Sequence, residues 1–167
     1  NYNVISNNFI TSNNYGIASN LAGMELNSYE IQNNTISNNI INNNEVGIQL
    51  SGLNNSVENN SITQNNQGIN LLEINIDFAS IDAICRNNTI QDNYLQNNGG
   101  INAYSYDEDG FDEDGLKDNI FFNNTIISNT TSITIQGGNR NIIANNNLTS
   151  KENGIKLQTG NESIIAK

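Results

Sequence analysis

A six-residue pattern that recurs along the chain constrains the fold more than any other feature of the sequence. It consists of an apolar residue, any residue, two asparagines, any residue, and then isoleucine or leucine. Six copies begin at Ile5, Ile31, Val57, Cys85, Phe121 and Ile143. Each copy is followed by an isoleucine, usually after glycine, with another apolar residue two positions later, as in Gly47-Ile48-Gln-Leu50. Asparagine-rich tracts are often disordered, but disorder does not keep apolar residues in register, so the repeat predicts a folded solenoid.

The spacing of the repeat predicts short strands joined by tight turns. The shortest full coil, from Ile126 to Leu148, takes 22 residues, whereas a strand–helix–strand unit needs about 30. Equivalent strands of successive coils then pair in parallel, about 4.8 Å apart. Two coils are interpreted as carrying short insertions, because Ile36 to Ile48 and Ile90 to Ile101 exceed the usual seven-residue spacing.

Stacking of the coils predicts which residues lie over one another. One interior file is expected to contain Ile10, Ile36, Ile62, Ile90, Ile126 and Leu148. The other is expected to contain Ile5, Ile31, Val57, Cys85, Phe121 and Ile143. An asparagine ladder, in which buried amides bond along the stack, is expected to contain Asn8, Asn34, Asn60, Asn88, Asn124 and Asn146.

The hexad with its Gly-Ile-x-Leu landmark resembles the parallel β-helix repeat of the pectate-lyase-like family, which includes many microbial surface and secreted proteins. The resemblance implies an all-β fold, a right-handed single-stranded parallel β-helix of about six to seven coils of 22 or more residues. Residues 1–167 are interpreted as one segment of a longer chain, because both ends fall in mid-coil. Neighbouring coils, a cap or identical subunits are expected to cover the open ends.

One segment interrupts the repeat and is strongly acidic. We expect residues 102–120 to form a loop insertion that contains seven carboxylates and one lysine. Alternating aspartates that end in Asp-Gly can wrap oxygen ligands around a hard cation, so Ca2+ is the expected cofactor. The proposed ligands are Asp107, Asp109, Asp112, Asp114 and Asp118. The spacing is similar to thrombospondin type 3 and EF-hand-like loops but lacks their first ligand and the bidentate glutamate, and a solvated acidic loop is the alternative.

The composition argues against several function classes. The net charge of −11 argues against nucleic acid as a partner, and no apolar run is long enough for membrane insertion. The chain has no histidine, the usual general base near neutral pH. Arg86 is expected to lie beside Glu58 in an exposed column, where a cross-coil ion pair explains it better than catalysis. Cys85 is interpreted as a small core residue.

The chain is therefore predicted to be a structural or adhesive module of an extracellular or cell-surface protein, and not an enzyme. Two alternatives stay open. The first is a fragment of a polysaccharide-active lyase, epimerase or hydrolase, since these share the fold. The second is a face that binds surface glycans or ice, built on a column of hydroxyl side chains. That column would contain Thr35, Ser61, Thr89 and Thr125.

Overall fold

The computed structural model of the chain describes residues 2–19, 31–76, 81–83, 85–106, 116–158 and 162–167. Every regular element in these ranges is a β-strand. The first sheet contains β1 (Val4–Ser6), β4 (Thr35–Ser37), β8 (Ser56–Glu58), β13 (Thr89–Gln91), β16 (Ile120–Phe122), β19 (Ile142–Ala144) and β22 (Ile164–Ala166). The second sheet contains β2 (Phe9–Thr11), β5 (Ile40–Asn42), β9 (Ser61–Thr63), β14 (Tyr94–Asn98), β17 (Thr125–Ser128) and β20 (Asn147–Ser150).

A third sheet completes each coil. The third contains β3 (Tyr15–Ala18), β6 (Val46–Leu50), β10 (Gln67–Ile76), β15 (Ile101–Tyr106), β18 (Ile133–Gln136) and β21 (Ile155–Gln158). Its long strand β10 also pairs antiparallel with β11 (Ile81–Ala83), the one departure from parallel pairing among the described strands. A short two-stranded sheet joins β7 (Gly52–Leu53) to β12 (Cys85–Arg86).

The chain visits the first, second and third sheets in turn and then returns to the first. Strands that are neighbours in a sheet are therefore far apart in sequence, and they pair in parallel with direct register from one coil to the next. This is the architecture of a β-solenoid. The predicted all-β, parallel and stacked arrangement is confirmed.

The predicted interior files are wrong in their membership, although their residues do point inward. The first-sheet file contains Ile5, Ile36, Val57, Ile90, Phe121, Ile143 and Ile165. The second-sheet file contains Ile10, Ile41, Ile62, Leu95, Ile126 and Leu148. Ile36 and Ile90 thus lie one sheet away from Ile62. Cys85 belongs to neither file, since it pairs with Gly52, but it is fully buried as expected.

The error has a simple origin in the repeat. Two copies of the hexad overlap within one coil, because the final apolar residue of the first is also the first residue of the second. One copy runs from Ile31 to Ile36 and the other from Ile36 to Ile41. When Ile41 rather than Ile36 is aligned with Ile62, the supposed insertion before Ile48 disappears.

Each Asn-Asn pair forms a corner of the coil, and its two residues have different tasks. The first lies on the surface with a left-handed backbone, as in Asn38 (φ 56°) and Asn59 (φ 55°). Asparagine tolerates this conformation better than most other residues. The second, such as Asn39 or Asn60, is buried. Asn39 donates to Oδ1 of Asn60 from its main-chain N–H (2.9 Å) and from Nδ2 (3.0 Å).

The buried asparagines form ladders along the stack, but not the ladder that the sequence predicted. The first-corner ladder contains Asn3, Asn34, Asn55, Asn88, Asn119 and Asn141. The second-corner ladder contains Asn8, Asn39, Asn60, Asn93, Asn124 and Asn146. The predicted ladder mixed members of both. Because each amide bonds to the next coil, these buried polar groups are satisfied.

Candidate functional site

The asparagine ladder is interrupted at the third corner of the coil, which is the turn between the second and third sheets. Its ladder begins normally, with the main-chain N–H of Asn13 and of Asn44 donating to Oδ1 of the asparagine in the next coil, Asn44 (3.0 Å) and Asn65 (2.9 Å) respectively. Oδ1 of Asn98, which would continue the ladder, instead accepts the N–H of Gly100 at 2.9 Å. The ladder therefore breaks between Asn65 and Asn98.

Local sequence explains the break. The Gly99-Gly100 pair follows Asn98, and Gly100 has a φ of 77°, which favours glycine. A Cβ at Gly100 would lie 2.3 Å from the carbonyl oxygen of Ser132. In the next coil the position aligned with Asn98 holds Ser128, after a register shift in the pairing of β14 with β17. Ser128 Oγ donates to the carbonyl of Asn98 at 3.0 Å, so no amide is available to extend the ladder.

An open groove of about 440 Å³ lies over the broken corner. It is lined by residues 64–66, 97–99 and 129–130, which come from three successive coils. None of these lining residues carries an ionisable side chain. Gln64, Asn97 and Asn129 are exposed, and among described residues their side-chain amides make no hydrogen bond. The sequence gives one signal for this groove, the Gly-Gly pair after an Asn-Asn corner.

The acidic segment is described only at its end. Of the five proposed calcium ligands, Asp107, Asp109, Asp112 and Asp114 lie outside the described residues. Asp118 occupies a corner position with φ of 57°. Its two carboxylate oxygens accept hydrogen bonds from Nε (2.8 Å) and Nη2 (2.6 Å) of Arg140 in the next coil. A cation that bound Asp118 would therefore compete with a bidentate guanidinium.

The electrostatics of Asp118 follow from this pair. The hydrogen bond from Arg140 lowers the pKa of Asp118 below its ordinary value, and the charge of Arg140 acts in the same direction. Lys117 and Arg86 add smaller favourable charges, while partial burial opposes the shift. Both side chains are partly exposed (37% for Asp118 and 52% for Arg140), so solvent screens the interaction. This pair is not evident from the sequence, because the hexad pattern does not align Asp118 with Arg140.

The structure does not assemble two other groupings that the sequence suggested. The hydroxyl column is wrong, because Thr35 and Thr89 lie in the first sheet while Ser61 and Thr125 lie in the second. The predicted exposed column that placed Arg86 beside Glu58 is also wrong.

The register pairs Arg86 with Leu53, whereas Glu58 pairs with Gln91 and accepts its amide at 3.0 Å. Within the described ranges, no three of the carboxylate, thiol or imidazole side chains come together in a metal-binding group.

One buried polar atom close to the acidic segment lacks a partner. Ser105 Oγ, near the end of β15, is fully buried and makes no hydrogen bond to any described residue. Burial of the adjacent Tyr104 raises the pKa of its phenol. Neither feature was apparent from the sequence, because both depend on how tightly the third sheet is covered.

Comparison with known proteins adds no assignment. No family model, curated protein or solved structure matches the chain. The resemblance to the pectate-lyase-like family stays a prediction. Among the described residues, no helix is long and apolar enough to span a membrane.

Proposed function

We propose that the chain is a structural or adhesive module of an extracellular or cell-surface protein, and not an enzyme. In this proposal it is a right-handed single-stranded parallel β-helix of about six to seven coils, stiffened by the asparagine ladders. Its acidic segment binds Ca2+. Continuous main-chain pairing in three sheets supports a rigid rod, since each coil is held by its neighbours on both sides.

The observation that carries the proposal is where the extra residues of the long coils occur. Successive ladder asparagines of the first corner are 21 or 22 residues apart in two coils and 31 or 33 apart in three others. In each long coil the additional residues follow the third-sheet strand, after β3, within and after β10, or after β15. Insertions that share one position of a solenoid repeat emerge on one face, which is often the binding face.

The calcium proposal concerns the insertion after β15. Its unneutralised carboxylates would repel one another, and a divalent cation relieves that repulsion. The proposed ligands are Asp107, Asp109, Asp112, Asp114 and Asp118. Because Arg140 already holds both oxygens of Asp118, we expect Asp118 to contribute less than the aspartates before it.

Calorimetric titration with Ca2+ tests this part of the proposal. The intact chain is expected to give saturable heat, and an Asp109→Ala/Asp114→Ala variant is expected to lose it. Glu152→Gln is the matched control, because it removes an exposed carboxylate at a different corner of the coil. Absence of heat from the intact chain, or equal heat from the double variant, would remove calcium from the proposal.

A second experiment tests the module itself. In the next coil, the single residue Gly137 connects the strand β18 to Gly138. That coil is the template for a shorter connection, in which one glycine replaces residues 105–115. The shortened chain is expected to keep its β-sheet circular dichroism and its cooperative melting. Release of reducing ends or unsaturated products from polygalacturonate or other polysaccharides by the intact chain would instead favour a polysaccharide-active enzyme.

A further inference from the structure

The amide-lined groove at the third corner is separate from the insertion face. It lies between the second and third sheets, whereas the insertions follow the third sheet. We propose that this groove is a binding site for a neutral oligosaccharide. The inference goes beyond the proposed function and does not depend on calcium.

The first argument is that the groove presents polar groups that are not used by the fold. The inward amide of each unbroken corner is used by the ladder, as Asn60 shows by bonding to Asn39 and Asn93, whereas Gln64 and Asn97 hold the outward position of their corners. In the groove, the amides of Gln64, Asn97 and Asn129 make no hydrogen bond to any described residue. Each offers two donors and an acceptor.

The second argument is that these groups are held in fixed positions. Gln64 (φ 56°) and Asn97 (φ 55°) occupy the same left-handed corner in successive coils, and the main-chain N–H of Gln64 donates to Gln96 at 2.9 Å. Asn129 lies in the following coil, and its main-chain N–H donates to the carbonyl of Asn98 at 2.9 Å. The side chains of Gln64 and Asn97 thus lie at equivalent positions about 4.8 Å apart, and Asn129 lies one coil further on, displaced by the register shift between β14 and β17. A ligand with repeated polar groups suits such a row.

The third argument concerns the chemistry of the ligand. The lining has no arginine or lysine for phosphate or carboxylate, and the chain as a whole has a net charge of −11, which repels anions. The groove has no carboxylate to compensate a cation. Hydroxyl groups both donate and accept, as the amides do, so a neutral polyhydroxylated chain satisfies the lining without leaving a buried charge.

The groove has no aromatic side chain to stack on a sugar ring, and each hydrogen bond to a ligand replaces one to water. We therefore expect a dissociation constant in the millimolar range. Removing one amide is expected to weaken binding about five-fold. Binding is expected to be insensitive to ionic strength, because no ionised group takes part.

The test uses the intact chain labelled with 15N and a panel of neutral oligosaccharides: cellohexaose, maltohexaose, mannohexaose and chitohexaose. At least one is expected to produce saturable shifts in the side-chain amide signals of Gln64, Asn97 and Asn129. A Gln64→Gly/Asn97→Gly variant is expected to bind at least ten-fold more weakly. Glycine accepts the left-handed backbone at both positions, so the fold is preserved.

The matched control is Asn54→Gly/Asn87→Gly, because these residues occupy exposed left-handed positions (φ 56° and 55°) at the first corner of the same two coils. This variant is expected to bind like the unmodified chain. The proposal is overturned if no oligosaccharide in the panel shifts the groove signals, if the shifts map elsewhere, or if both variants bind equally. Each of these failures would leave the calcium titration and the insertion-face proposal unaffected.

Discussion

The two residues of one corner, Asn59 and Asn60, are expected to differ strongly in how much their substitution lowers the free energy of unfolding. Asn60 is 1% exposed, and its Oδ1 accepts bonds from the main-chain N–H (2.9 Å) and Nδ2 (3.0 Å) of Asn39. Its own Nδ2 reaches the carbonyl of Ile36 at 2.9 Å. Asn59 lies on the surface with a left-handed φ of 55°, and its main-chain N–H donates to the carbonyl of Gln91 at 3.3 Å.

The magnitudes follow from these contacts. Asn60→Ala leaves the N–H of Asn39 without its acceptor, and one buried orphan costs about 1–3 kcal/mol. Two further lost hydrogen bonds, from Nδ2 of Asn39 and to the carbonyl of Ile36, add about 1 kcal/mol each, so the free energy of unfolding should fall by about 3–5 kcal/mol. For a chain of this size that lowers the melting temperature by roughly 5–15 °C. Asn59→Gly should change the free energy of unfolding by less than about 1 kcal/mol, because glycine accepts the left-handed backbone.

Thermal and urea unfolding, followed by circular dichroism, measure both variants against the unmodified chain. Hydrogen exchange supplies a local readout, because the amide proton of Asn39 should lose protection in Asn60→Ala and keep it in Asn59→Gly. If the two variants were equally stable, or if Asn39 stayed protected in both, the ladder would not stabilise the fold as argued.

Four further outcomes are expected. Gly47→Ala should destabilise the chain by about 1–3 kcal/mol, because the new Cβ would lie 2.6 Å from the carbonyl oxygen of Gly68. Gly154→Ala, with nothing within 4 Å of its Cβ, should be nearly neutral in the same melting assay. Arg140→Gln should raise the pKa of Asp118 toward its ordinary value, as measured by carbon-detected NMR titration. Ca2+ at about 100 times its dissociation constant from the chain should raise the melting temperature of the intact chain by roughly 5–10 °C. The melting temperature of the chain with the shortened insertion should not change.

The pH dependence of the Asp118–Arg140 pair has a definite sign. The pKa of Asp118 is lower in the folded chain than in the unfolded one, so the pair stabilises the fold above the unfolded value. That contribution is lost as the pH falls through the folded value. Because both side chains are exposed, it should amount to about a few tenths of a kcal/mol. The intact chain should therefore be slightly more stable than Arg140→Gln above the unfolded pKa, and the two stabilities should converge as the pH falls through the folded value.

Sequence reasoning succeeded where a residue's role depends on its immediate neighbours. Alternation around Ile10 and Ile126 predicts strands with one inward residue, and both lie in strands of the second sheet. The Asn-Asn pairs predict corners, since asparagine accepts the left-handed backbone. The Gly-Ile landmark predicts a further strand in each coil, and Ile48 and Ile69 do lie over one another in the third sheet.

It failed where two parts of the chain satisfy the same local pattern. The pairs at Asn33 and Asn38 have nearly identical surroundings, and nothing local shows which of them stacks on Asn59. The candidate groove depends on that choice, because the broken ladder is visible only once Asn65 and Asn98 are known to be neighbours. The Asp118–Arg140 pair could not be expected for the same reason.

Residue order alone thus established that the chain turns at asparagine pairs, buries isoleucine and stacks its strands in parallel, because each of these follows from local backbone preference and burial. Which corner lies over which is a property of the whole stack. It depends on how many residues each coil has between the third sheet and the first. It also depends on a register that lets the strands of all three sheets pair and the asparagine ladders form at the same time. Only the tertiary structure resolves that, and it therefore decides where the ladder breaks and where a ligand can bind.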